Sequence, residues 1–168
     1  MQQFTSKNTS INSTKLPTVY RKATFSAPYV LDYGCGKYTE HIKSFIESQG
    51  KSFFPYDKYN QDMYTNRNTL DFIEWICSRS APVKIDVVCS NVLNVIDSDS
   101  EVQYICSTIE YIVSRSGGKG FVTVYDGDRS GVGRQTGKDQ YQRNEPIKNY
   151  IKYFKNAHIH NGMIIVER

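Results

Sequence analysis

Apolar and polar positions change period repeatedly along this chain. Pro28 to Tyr33 is a short apolar stretch that stops at Gly34, the length and terminus of a buried strand. From Thr39, a potential helix cap, the apolar residues Ile42, Phe45 and Ile46 recur at intervals of three and four, and Gly50 stands where a C-terminal cap belongs. Ser52 to Tyr56 is a second strand ending at Asp57. The segment from 28 to 57 thus reads as strand, tight turn, helix and strand, a crossover that is right-handed and builds a parallel sheet.

A polar loop follows from Lys58 to Asn68, then a helix from Asn68 to Ser78 carried by Leu70, Ile73, Trp75 and Ile76, with Pro82 beyond its end. Lys84 to Cys89 is almost continuously apolar and β-branched, the pattern of a strand covered on both faces. Val102, Ile105, Ile109 and Ile112 mark a helix from Ser98 or Ser100 through Val113, and a turn at residues 116–120 leads into a strand over 121–125. Residues 126–144 are glycine-rich, charged and aperiodic, a long loop of the kind that carries function. Glu145 to Phe154 reads as a helix with Pro146 at its first position, and 157–166 as a hairpin turned by Asn161-Gly162. Residues 1–24 lack a sustained period and read as a basic polar arm ahead of a single domain over 25–168. The fold class expected is α/β: a Rossmann-like, mostly parallel sheet with helices on both faces and a C-terminal β-hairpin.

Composition narrows the class. The chain has 168 residues, enough for one core, and no apolar run approaches the ~20 residues of a membrane span. Residues 1–24 hold no apolar segment that can serve a secretory signal, so a cytoplasmic location is expected. Cys35, Cys77, Cys89 and Cys106 are far apart, with no C-x-x-C pair and no His at ligand spacing; they read as reduced thiols, with no metal site. The net charge of +4 is unevenly spread: residues 1–28 carry four bases and no acid, 29–111 seven bases against twelve acids, and 112–168 ten against five. Basic ends suit an anionic partner such as nucleic acid, and equally an uneven solvated surface.

The chemistry concentrates at strand ends. Asp32-Tyr33-Gly34-Cys35-Gly36 closes the first strand, where glycines let the backbone turn sharply and a ligand approach closely. Asp57 stands at the tip of the second strand, positioned to accept from ribose hydroxyls, or simply to form a turn. Dinucleotide sites carry G-x-G-x-x-G before a pyrophosphate-binding helix. Here the third glycine position holds Thr39, and the acid two residues before Gly34 repels pyrophosphate while suiting a cationic amino-acid end.

Val30-Leu31-Asp32-Tyr33-Gly34-Cys35-Gly36-Lys37 resembles the first motif of class I S-adenosylmethionine-dependent methyltransferases, and Tyr56-Asp57 their second. Residues 85–96 resemble their fourth strand and the loop after it, in the form seen in small methyltransferase-like proteins of phages and DNA-modification gene clusters. Gly117-Gly118 and Tyr141-Gln142-Arg143-Asn144 are similar to segments of the same proteins. The resemblance implies S-adenosylmethionine as cofactor, with S-adenosylhomocysteine as product. It places Asp32, Tyr33, Gly34, Cys35 and Gly36 at the amino-acid end and Asp57 at the ribose. Tyr56 and Lys58 would cover sugar or adenine, and Ser90 and Asn91 would lie beside the sulfonium, Asn91 being the candidate catalytic contact.

Two features depart from that pattern. Tyr38 occupies the third-glycine position of the first motif, and one helix fills the space between Asp57 and Ile85, which shortens the sheet around the third strand. Asp62, Asn68 and Asp71 are the remaining candidates for adenine. Ser90-Asn91-Val92-Leu93 stands where amino-methylating DNA enzymes carry Asn/Asp-Pro-Pro-Tyr/Phe, which speaks against that chemistry and leaves the acceptor unspecified. Arg129, Arg134, Lys138, Tyr141 and Arg143 in the long loop are candidates for substrate phosphates or bases, and the loop's glycines suit a lid. The expected function is methyl transfer, with nucleic acid favoured over a small molecule. The alternative is a non-catalytic S-adenosylmethionine-binding subunit, sensor or cofactor-sequestering factor.

Overall fold

The computed structural model describes residues 14–168. In chain order it contains α1 (Thr18–Lys22), β1 (Tyr29–Tyr33), α2 (Glu40–Glu47), β2 (Ser52–Tyr56), α3 (Met63–Ser78), β3 (Ile85–Ser90), α4 (Asp99–Ser116), β4 (Gly120–Thr123), β5 (Arg134–Gly137), β6 (Gln140–Gln142), β7 (Ala157–His160) and β8 (Met163–Val166). Short 3-10 segments lie at Leu93–Val95 and Ile147–Tyr153. The central sheet has six strands in the order β2-β1-β3-β4-β8-β7. Its first four strands are parallel, and β8 runs antiparallel to both β4 and β7. The C-terminal hairpin expected from Asn161-Gly162 is therefore an integral edge of the sheet.

Alternating side chains feed two cores, as strands covered on both faces require. Leu31, Val87, Cys89 and Val122 pack with Ile73 and Ile76 of α3 and Ile105 and Ile109 of α4. Val30, Val88, Phe121 and Ile165 pack with Val19 and Tyr20 of α1 and Ile42 and Ile46 of α2. Among the described residues no helix is long and apolar enough to cross a membrane. None of the four cysteines is in a disulfide.

Two devices lock the lower rim of the sheet. The buried Asp86 carboxylate accepts from the Ser26 and Ala27 amides at 2.9 and 3.0 Å and from the Lys119 amide at 2.9 Å, joining the approaches to β1 and β4. Gly117 ends α4 in the left-handed region at φ 80°, and Gly118 then passes so close to β3 that a Cβ there would sit 1.9 Å from the Ile85 carbonyl oxygen. At the sheet's margin β2 pairs with β1 alone. Pro55 has no amide hydrogen to present there, and its carbonyl accepts from the Thr69 hydroxyl of α3 at 2.7 Å.

The path differs from the sequence expectations in four places. Residues 1–13 of the expected arm lie outside the described residues, but 14–24 do not project: α1 buries Val19 and Tyr20 at 0% and 1% exposure. α3 begins at Met63 rather than Asn68, because Asp62 caps it by accepting from the Thr65 amide at 2.8 Å. Residues 126–144 are not one open loop, since they fold the antiparallel ribbon β5–β6. The helix expected over 145–154 is a 3-10 segment with Pro146 as its cap residue, outside the helix at ψ 153°.

Candidate functional site

Order β2-β1-β3 means that the chain leaves β1 toward one side for β2 and returns to the other for β3. The crevice at the carboxyl ends of strands around such a reversal is where open α/β sheets bind ligands. A cavity of about 1160 Å³ opens there, lined by the tips of β1, β2, β3 and β4. The ribbon contributes Tyr141 and Gln142, and the N-terminal segment contributes Lys15, Arg21 and Lys22.

The glycine turn forms as the sequence demands. Gly34 and Gly36 adopt φ of 94° and 76°, a region that side chains disfavour. The amides of Gly34 and Cys35 donate to the Tyr56 carbonyl at 2.7 and 3.1 Å, and the Gly36 amide donates to Asp57 Oδ2 at 2.8 Å. Gln61 Nε2 donates to the Gly36 carbonyl at 2.8 Å. The turn is thus stitched to the tip of β2. At Gly34 the space is taken by the protein itself: a Cβ would meet Val92 Cγ2 at 2.3 Å. That glycine admits the β3 loop, and it lines the cavity together with Tyr33, Cys35 and Gly36.

Asp57 is more heavily engaged than a waiting ribose contact. Its Oδ1 accepts from the Tyr59 amide (3.0 Å), the Asn60 amide (2.9 Å) and Asn60 Nδ2 (3.1 Å), while Asn66 clamps its backbone. Its work in this structure is to hold two turns together, the turn-forming alternative. It still lines the cavity, as do Tyr56, Lys58 and Cys35. Burial, reinforced by Asp32 and Asp57, pushes the Cys35 thiol far above its ordinary range, so it is protonated.

Asp32 has a different environment. It is 2% exposed, its Oδ2 accepts from the Tyr20 hydroxyl, and its Oδ1 has no hydrogen-bond partner among the described residues. Burial raises its carboxyl to about 7; the Tyr20 hydrogen bond opposes this and Asp57 adds to it. A buried oxygen of this kind costs free energy unless a donor or cation completes it. Tyr20 went unrecognised because its helix has a single turn, too short to display a period.

Across the reversal, Ser90 Oγ accepts from the Thr123 hydroxyl at 3.0 Å, and the Asn91 amide donates to the Thr123 carbonyl at 2.9 Å. Asn91 has φ 56°, and its side chain is exposed at the cavity's lip. Asn94 went unselected in the sequence. It is 2% exposed and lines the cavity, its Nδ2 donates to Gln142 Oε1 at 3.2 Å, and its Oδ1 has no partner among the described residues. The available signal was an Asn inside an otherwise apolar run.

Several expected contacts lie elsewhere. Asp62 is spent on capping α3, Asn68 is exposed on that helix, and Asp71 is exposed opposite Arg67; none of the three lines the cavity. Arg129 and Arg134 are exposed, paired with Asp126 and Asp128 at 3.0 Å each, and with Lys138 stand outside the cavity lining. Arg143 is not available for phosphate. It is 5% exposed, Nη1 lies 2.9 Å from Asp99 and 3.5 Å from Glu145, and Nε donates to the Ile96 carbonyl. Replacing Arg143 with Met is therefore expected to lower stability by about 3 kcal/mol through the broken buried network. Melting curves of the two proteins check this.

Comparison with protein-family models, with curated proteins and with solved structures finds no match for this chain.

Proposed function

We propose that the cavity binds S-adenosylmethionine and that the chain is an S-adenosylmethionine-dependent methyltransferase on a Rossmann-like sheet, with nucleic acid as the favoured acceptor. The observation that carries the reading is the unpartnered Asp32 Oδ1, buried at the end of the first strand beside a glycine turn. An α-ammonium group supplies the hydrogen bond and the positive charge this oxygen lacks. A pyrophosphate fits the same place badly, because Asp32 and Asp57 both line it and Glu40 opens α2.

The residues present fit the cofactor in outline. Asp32 would hold the ammonium end, and the basic residues Lys15, Arg21 and Lys22 lie on the same cavity to meet a carboxylate. Tyr33 and Tyr56, with ring centroids 4.7 Å apart, form an aromatic wall between the ends of β1 and β2. Asp57 shapes the turn on which the sugar would rest. The cofactor supplies a methyl group already activated on sulfur, so the protein's contribution is to position and to exclude water. At about 1160 Å³ the cavity exceeds the ~300–1,000 Å³ of ordinary small-molecule sites, leaving room for an acceptor.

Calorimetric titration with S-adenosylmethionine and S-adenosylhomocysteine tests this reading, and absence of heat with both removes it. Its pH dependence is specific. Because Asp32 titrates near 7, lowering the pH from 7.5 to 5.5 protonates the partner of the ammonium. Affinity should then fall by up to about tenfold per pH unit below that value; a flat profile would exclude the Asp32 carboxylate as the contact.

A further inference from the structure

We propose that two copies of this chain join antiparallel along their β7 strands, and that His158 and His160 of both copies then hold one divalent transition-metal ion of the zinc class. The inference is independent of what the cavity binds.

β7 ends the sheet and, among the described residues, pairs with β8 alone. The direction of its backbone groups follows from the register. The Glu167 amide donates to the Asn156 carbonyl at 3.2 Å, and hydrogen-bonded pairs in an antiparallel ladder recur at every second residue. His158 and His160 therefore bond to Ile165 and Met163 of β8, while Ile159 turns its N–H and C=O outward. One donor and one acceptor on a single residue are what the same residue of an antiparallel copy requires, so the edge is complementary to itself about a twofold axis at Ile159. Residues 157–160 carry none of the proline, lysine or acidic residues by which edges are blunted, in contrast to Pro55 at the other margin. Ile159 is 42% exposed and would meet its own counterpart across the axis.

The histidines supply the reason for a second copy. Their side chains leave the face of β7 opposite to Ile159, about 7 Å apart along the strand. Pairing about Ile159 sets His158 across from the partner's His160 at a Cβ separation of about 5 Å. Four imidazoles then stand at the corners of a rectangle centred on the axis, close enough for one nitrogen of each to reach a single ion at the ~2.0 Å of a zinc–imidazole bond. One copy alone offers two of these ligands, and among the described residues no group of three His, Cys, Asp or Glu converges on a metal position. The site is thus incomplete without the partner. Its outer shell is already in place: His158 turns Nδ1 toward Glu167 Oε1 at 3.6 Å, and Glu167 Oε2 is held by Lys119 at 3.1 Å. A ligating imidazole ordinarily sets its second nitrogen against a carboxylate, which leaves Nε2 of His158 for the ion. Both histidines are exposed, and imidazole sets suit zinc, copper and nickel better than magnesium or calcium.

The test is sedimentation velocity of the wild-type protein in EDTA and with added zinc chloride, with the bound zinc counted in the dimer fraction. Zinc that binds only the pair raises association by mass action, so the dimerisation constant should tighten at least about tenfold. The dimer should hold one ion per two chains. In the double variant His158→Ala, His160→Ala, zinc should leave the mass unchanged. Ile159→Pro should stay monomeric in zinc and melt as the wild type does, because the N–H it removes points away from β8. A wild-type mass indifferent to zinc overturns the proposal without need of a variant. Zinc-dependent dimers in the double histidine variant, or in folded Ile159→Pro, also overturn it, by placing the ion or the interface elsewhere. Should Ile159→Pro fail to fold, the histidine variant and the zinc count still decide.

Discussion

Replacing Asp32 with Asn is expected to make the ligand-free protein more stable and the protein's grip on S-adenosylmethionine weaker. Burial lifts the carboxyl from 3.8 to about 7. Between those values the native state holds a proton that the unfolded chain has released, so this group's contribution to stability falls as pH rises from about 4 to about 7. Above that range the penalty is complete, and a shift of this size corresponds to about 4 kcal/mol as an upper bound. An Asn side chain carries no charge to desolvate and still accepts from the Tyr20 hydroxyl. The stabilisation should therefore be small at pH 4 and large at pH 8 in denaturant titrations. Affinity should move the other way by tenfold or more, because a hydrogen bond to a charged group is worth ~1.5–3 kcal/mol. Equal stability of the two proteins at pH 8 would remove the buried charge from the account, and equal affinity would remove the ammonium contact.

The second large effect belongs to Gly118. A single methyl group added there would lie 1.9 Å from the Ile85 oxygen and 2.5 Å from its carbonyl carbon. Both are backbone atoms of β3 in the middle of the sheet, so no rotamer change relieves the overlap. Gly118→Ala should cost more than about 3 kcal/mol, in the range reserved for overpacking against an unyielding neighbour. Gly117→Ala makes a useful contrast. Its nearest neighbour is Lys84 Cγ at 4.0 Å, leaving only the strain of its left-handed conformation, about 1 kcal/mol. Parity between the two variants in thermal unfolding would show that the approach of α4 to β3 is adjustable.

Much of this fold is written locally. The first crossover is legible because helix α2 and its flanking strands each show a clean period and are separated by glycines. The parallel β3 is legible because burial on both faces leaves it continuously apolar. Elements whose stability comes from one or two tertiary contacts are not legible. Helix α1 is a single turn fixed by Tyr20 and Val19. The first turn of α3 exposes Met63 and Tyr64, so nothing in its pattern marks it as helix, and only the Asp62 cap does. β5 is exposed along three of its four residues and carries no alternation to read.

The candidate site divides in the same way. Glycine and carboxylate positions at strand ends can be picked out by residue type and spacing, and those residues line one cavity. Which oxygen is free cannot be read from spacing. Asp57, a ribose contact or turn former by its place in the sequence, is occupied by its own turn and by the Gly36 amide, and Asp32 keeps an open atom only because Tyr20 reaches just one of its two oxygens. Arg143 differs from its sequence expectation for a related reason: a charge in a glycine-rich segment reads as surface, whereas Asp99, Glu145 and the Ile96 carbonyl draw it inward.

The margin of the sheet at β2 has a consequence for how the chain behaves among its own copies. A parallel strand with one free side ordinarily offers a row of donors and acceptors to any passing strand, the template from which aggregates grow. Here that row is interrupted at Pro55, which has no hydrogen to give and whose carbonyl is occupied by the Thr69 hydroxyl of α3. An edge broken in this way is a poorer template for a further strand.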